Sequence, residues 1–302
     1  MTTAGYRAAG VLFALVGVLA FSFRPILIKL AYGAHPVSPT TLLFLRMALA
    51  LPFFAAIGWW LRHDEPRIMR RDWAAIAGLG FIGYYLSSLL DFIGLQYVGA
   101  GVGRLIQFLY PTLVVLLSYL FLQRRPTVRE LAALAITYGG IALVVSNQLG
   151  SSVEERQFAF GVALIFGCAL TYAIYLVVGS QLVQRVGSMR FTAYTMIVST
   201  VPIVLQWLLL EPAASLELPA AVWIYAGIMA IFSTVVPVFL VSEALRRIGA
   251  NHFALIGAVG PVSVAITSAL GLDEPFGWPQ VLGGMLVIAG VLLVSLKTKG
   301  GK

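Results

Sequence analysis

Charge is what this chain of 302 residues has least of: Asp, Glu, Lys and Arg make up 11% of it, against 60% apolar residues. That balance lies far outside the soluble range and excludes a soluble domain. Cysteine is almost missing as well, and a lone Cys168 excludes an internal disulfide while giving no signal of compartment. The sequence has no His-Glu-x-x-His motif, no pair of aspartates inside an apolar run and no Gly-x-Ser-x-Gly turn, so an intramembrane enzyme is not expected. Nor is there a Gly-x-x-x-x-Gly-Lys-Ser/Thr loop, so ATP hydrolysis would need another subunit. No cofactor and no metal site are expected.

What is there instead is apolar sequence in long continuous runs, which excludes the alternating pattern of a closed barrel. At about 20 residues per span, ten runs stand out: 9–32, 40–61, 73–96, 102–122, 128–147, 158–181, 191–210, 220–245, 251–271 and 278–296. The run from Val11 to Phe23 has the length of a signal-peptide core, but Arg24 interrupts it and it has a counterpart later in the chain, so it reads as an uncleaved helix. That counterpart belongs to an internal repeat. At an offset of 150 residues, Leu105-Ile106 falls on Leu255-Ile256, Pro111 on Pro261, Ser118 on Ser268 and Gly140 on Gly290. Gly10-Val11 falls on Gly161-Val162, one residue out of step. The expected organisation is a first five-helix unit over 1–147, an external linker over 148–157 and a second five-helix unit over 158–302.

Fifteen basic residues flank the spans on one side: Arg7, Arg62, Arg67, Arg70, Arg71, Arg124, Arg125, Arg129, Arg185, Arg190, Arg246, Arg247, Lys297, Lys299 and Lys302. The other side has Arg156 alone. This excess predicts that both termini are cytoplasmic, and it accounts for the net charge of +8 by contact with anionic lipid. Nucleic acid is not an expected partner, because the cations are scattered over six segments instead of lining a groove. Five spans is an odd number, so the two units must cross the bilayer in opposite senses. The fold class predicted is all-α and integral to the membrane, ten helices in two inverted repeats around a central cavity.

The chain resembles the EamA group of the drug/metabolite transporter superfamily. The resemblance is carried by the doubled five-helix unit, by Phe21-Ser22-Phe23-Arg24-Pro25-Ile26-Leu27-Ile28-Lys29, by Leu109-Tyr110-Pro111-Thr112 and by Leu272-Asp273-Glu274-Pro275 with Gly283-Gly284 and Gly290. It covers essentially the whole chain. It implies a cavity lined mainly by helices one, three, four, six, eight and nine, in a bacterial inner-membrane protein whose relatives export amino acids, aromatic ones included, and other small metabolites. More distant relatives exchange nucleotide sugars or phosphorylated sugars. Many relatives have a Trp where this chain has Phe21, and the family motifs specify fold more strongly than substrate.

Charges within spans cost at least about 2.5 to 3.5 kcal/mol each near the centre, so each needs a partner or a wet cavity. Arg24, Lys29, Arg46, Asp91 and Arg104 are of this kind. One reading pairs Asp91 with Arg104 or Arg46 as a structural salt bridge. The other notes that three basic residues against one acid leave the outer half with positive charge, which suits a substrate carboxylate or a backbone carbonyl acceptor; Lys29 alone can also snorkel to the interface. Tyr84, Ser88 and Asp91 recur at helical spacing and share a face, while Gln107, Tyr110, Tyr172, Tyr175, Ser233 and Thr234 are further cavity candidates. The null for the hydroxyls and the amide is bonding between helices, and for the tyrosines an interfacial belt. Pro111 and Pro261, at equivalent repeat positions, read either as gating breaks or as static kinks. Glu243 and His252 could relay a proton, or Glu243 could pair with a nearby arginine. The leading functional reading is a secondary carrier for amino acids or similar zwitterions; cation efflux, nucleotide-sugar exchange, a channel and a scramblase rank lower. A monomer suffices for this reading, although small-residue faces such as Gly99 to Gly103 do not distinguish internal from external contacts.

Overall fold

A computed structural model describes residues 3–63, 68–122, 127–146, 153–257, 259–272 and 277–295, and all of its regular structure among these residues is helical. The helices are α1 (Thr3–Ser22), α2 (Arg24–Ala34), α3 (Pro39–Trp60), α4 (Arg70–Gly80), α5 (Ser87–Tyr97), α6 (Ala100–Gln107), α7 (Tyr110–Leu122), α8 (Val128–Ser146), α9 (Val153–Val186), α10 (Ser188–Leu210), α11 (Ala220–Ala230), α12 (Val236–Gly257), α13 (Val259–Gly271) and α14 (Trp278–Ser295). Taken with the short segments that join them, eight are long and apolar enough to cross a bilayer: 6–34, 39–60, 70–97, 100–120, 128–145, 154–186, 188–210 and 220–241. Val259–Gly271 and Trp278–Leu293 are shorter apolar helices. Many outward side chains are large and apolar, Leu209 at 81% and Leu270 at 82% exposure among them, a surface that lipid covers and water does not.

Local chemistry explains the ends and the breaks. Ser38 caps α3, its Oγ accepting the Thr41 amide at 3.0 Å, with Pro39 in the first turn where no amide is required. Asp72 returns its carboxylate to the Met69 amide at the start of α4. Pro25 has no N–H for the Phe21 carbonyl, and the first span accordingly breaks at Phe23 between α1 and α2. α9 begins at Val153, so 153–157 of the expected linker are helical. The assignment of α12 runs through 246–250, where a turn was expected. Gly10 nevertheless lies against Arg247 and Ile248, and Gly260 against Ser22 and Val18, so the chain doubles back between 248 and 260.

Two short π-helical segments interrupt the third and eighth spans, Phe81–Leu86 between α4 and α5 and Ile231–Val235 between α11 and α12. They begin 150 residues apart. Contacts between the halves pair up in the same register. A Cβ on Gly140 would stand 2.6 Å from the Gly283 carbonyl oxygen, and one on Gly290 would stand 2.8 Å from that of Ala133, which is the repeat counterpart of Gly283. Gly10 meets Arg247 and Ile248 as Gly161 meets Tyr97 and Val98. Each surface patch thus meets its counterpart reciprocally, the relation that a two-fold rotation produces.

Candidate functional site

A cavity of about 160 Å³ lies between the halves. Val18 and Phe21 of α1 and Arg24 of α2 form one wall; Gly83 and Tyr84 of the first π segment, with Ser87 and Ser88 of α5, form the next. Arg104 and Gln107 of α6, Phe108, and Tyr110 of α7 close the third side, and Tyr172 of α9 with Val241 and Gly257 of α12 complete it. Pockets that take drug-sized ligands run from about 300 to 1,000 Å³, so this space suits a small metabolite.

Each wall follows from a local feature of the chain. The break at Phe23 starts α2 at Arg24 and presents its guanidinium to the cavity. The π turn sets Ser87 beside Ser88 on the lining face, because the Ser87 amide reaches back to the Ile82 carbonyl as well as to Tyr84. Gly83 lets that turn touch α9: a Cβ there would lie 2.5 Å from Tyr175 Cγ. Helix four is fully interrupted at Phe108–Leu109, where Pro111 has no N–H to return to the Gln107 carbonyl, and α7 restarts at Tyr110.

The buried charges form one group. Arg24 Nη2 meets Asp91 Oδ2 at 2.8 Å, with the Asp91 side chain 3% exposed. This corrects the expected pairing of Asp91 with Arg104 or Arg46: α2 packs on α5, which brings Arg24 within reach of the acid. Arg46 instead donates from Nη2 to Ser88 Oγ at 3.0 Å and lies 5.1 Å over the Phe92 ring. Arg104 donates to Gln107 Oε1 at 2.8 Å, and Gln107 passes its own amide hydrogen to Cys168 Sγ at 3.3 Å. The Nε atoms of Arg24, Arg46 and Arg104 are buried without a hydrogen-bond partner. At about 2.5 to 3.5 kcal/mol for a lone charge at membrane depth, two guanidinium groups without a carboxylate represent a considerable cost.

Aromatic rings continue the wall inward. Tyr110 meets Tyr172 edge-on at 5.3 Å, Tyr172 stacks on Tyr175 at 5.9 Å, and Tyr84 meets Tyr175 at 5.0 Å. Tyr175 lies behind the lining, stacked on Phe191. The other expected residues lie elsewhere. Ser233 and Thr234 are buried in the second π segment, both hydroxyls donating to the Met229 carbonyl. Lys29 is partly buried on α2, away from the lining. Glu243 pairs with Arg247 at 2.6 Å along α12, which favours charge pairing over a relay; the His252 side chain lies outside the described residues. Pro261 is buried near the start of α13, and Ala258 before it is outside the described residues. Asp273, Glu274 and Pro275 are outside them too.

Sequence reasoning passed over Cys168, which is buried against Ser87 and Gln107, and Ser87 itself. Ser87 stands three residues after Tyr84 and four before Asp91, so helical spacing alone could have added it to that stripe.

The sequence profile of the EamA-like transporter family matches this chain twice, over 8–146 and 159–296. The chain belongs to the EamA-like transporter family. Among similar proteins, an uncharacterized transporter of Bacillus subtilis, YcbK, is 32% identical, with the match covering 96% of this chain and 95% of that protein. A second one from the same organism, YyaM, is 27% identical over 87% of each. An uncharacterized inner membrane transporter of Salmonella typhimurium, YicL, is 22% identical over 76% of this chain and 75% of its own. A crystal structure with 16% identity superposes at a TM-score of 0.66, covering 95% of this chain and 97% of its own, which shows a shared fold. As an EamA transporter, the chain has its cavity on the helices that the family resemblance implied.

Proposed function

We propose that this EamA protein is a secondary carrier that exports small metabolites, amino acids among them, across a bacterial inner membrane by alternating access. The observation that carries this reading is the cavity between the two halves, walled by guanidinium, amide and phenol groups of the first half and by Tyr172 of the second. Its division into five-helix units at 1–147 and 158–302 is supported by the two matches to the family profile. The inverted arrangement of ten spans is supported by the reciprocal contacts and by π segments at a 150-residue offset. Cation efflux is disfavoured because arginines, and no acid among the described residues, line the cavity. The outward direction follows the family resemblance.

Transport in proteoliposomes that contain only this protein tests the reading. Saturable, competed flux is expected, with and without a pH gradient to separate uniport from proton coupling. Gln107→Ala or Tyr110→Ala removes a ligand contact of about 1 to 3 kcal/mol, which is roughly a 5- to 150-fold loss of affinity. Full transport by both variants would refute a site in this cavity, and leak proportional to concentration would refute a carrier.

A further inference from the structure

We infer that the transported substrate is a small dianion, a dicarboxylate or a phosphate monoester; this rests on the carrier reading above and narrows its small metabolites to anions, in place of the zwitterionic amino acids. Arg24, Arg46 and Arg104 meet around the α5–α6 side of the cavity, and Asp91 is the single acid among them. That acid is committed to Arg24 at 2.8 Å and is buried behind it. Arg104 reaches only the neutral Gln107 amide, and Arg46 only the Ser88 hydroxyl. Two guanidinium charges are therefore unbalanced among the described residues, and the Nε of each is buried without an acceptor.

An amino acid of neutral side chain would supply one carboxylate and bring an ammonium group into the same space. Among the described residues no carboxylate lines that space to receive it. A dianion supplies acceptors for Arg104 on the lining and cancels the surplus charge that Arg46 adds from behind Ser88, which in a medium of low polarity is the stronger attraction. Arg104 stands on the lining itself and is fork-shaped, so it suits two oxygens of one carboxylate or phosphate. Arg46 sits one layer back, where Ser88 connects it to the lining. The volume of about 160 Å³ limits the substrate to a few carbons.

The test is counterflow in proteoliposomes loaded in turn with succinate, glycerol 3-phosphate, leucine or phenylalanine, paired with thermal melting of the detergent-purified protein in each compound. Succinate or glycerol 3-phosphate should exchange about tenfold to a hundredfold faster than either amino acid and raise the melting point. The faster of the two tells whether separate carboxylates or one phosphate is preferred. Arg104→Gln should abolish the preference, whereas Arg104→Lys, which keeps the charge and loses the fork, should retain it. Equal rates, or faster exchange of leucine or phenylalanine, would overturn the dianion inference and leave the carrier standing. No exchange and no melting shift with any of the four, for monodisperse protein, would overturn both.

Discussion

Asp91 is the residue on which the buried arginines depend, and its removal is expected to damage the protein more than the loss of any lining tyrosine. Asp91→Asn leaves Arg24 buried beside Arg46 without a counter-charge, at a cost of about 3 to 5 kcal/mol. Arg24→Gln leaves the acid stranded at a similar cost, and the double change should recover much of it, since the two residues act as one unit. Melting of the four proteins in detergent measures this, and a wild-type melting point for Asp91→Asn would show that the pair is not structural. All four charges were legible in the sequence, but their pairing was not. Depth counted along separate helices put Arg104 and Arg46 ahead of Arg24, and only the packing of α2 on α5 shows which arginine meets the acid.

At the scale of the element, the π turn and the broken fourth span distinguish the third and fourth spans from plain hydrophobic helices. Gly83→Ala should destabilise by about 1 to 3 kcal/mol, since the new methyl meets the Tyr175 side chain on the facing helix. Gly78→Ala is the control: it has open space around it, and Ala gains about 0.5 to 1 kcal/mol over Gly within a helix. Equal melting points for the two variants would remove packing on α9 as the reason for Gly83. The paired prolines are tested by turnover per folded molecule. If the breaks let helices four and nine bend during transport, Pro111→Ala and Pro261→Ala slow turnover with smaller effects on affinity; lowered stability with unchanged turnover would mark them as static. The spans themselves were readable from hydropathy and Pro111 from its repeat partner. The π turns were not, because a five-residue hydrogen bond is selected by what packs beside it, and nothing in Phe81-Ile82-Gly83-Tyr84 announces Tyr175.

For the whole molecule, the uneven distribution of basic residues predicts both termini on the cytoplasmic face. A cysteine placed at Ser152 should react with an impermeant external reagent and one at Thr127 should not, against a native Cys168 that is buried and silent. The reverse pattern would overturn the orientation. The 150-residue repeat was visible without a structure, and the two glycines that it aligned, Gly140 and Gly290, lie at the crossing of α8 and α14. There each carbonyl sits close against the facing glycine, in a notch that a Cβ would fill, with Thr137 and Leu286 packed beside it. Sliding one helix along the other by a turn would drive those oxygens into Leu286 or Thr137. If this crossing stays in register while substrate enters the cavity, α8 and α14 are the fulcrum about which the remaining helices tilt.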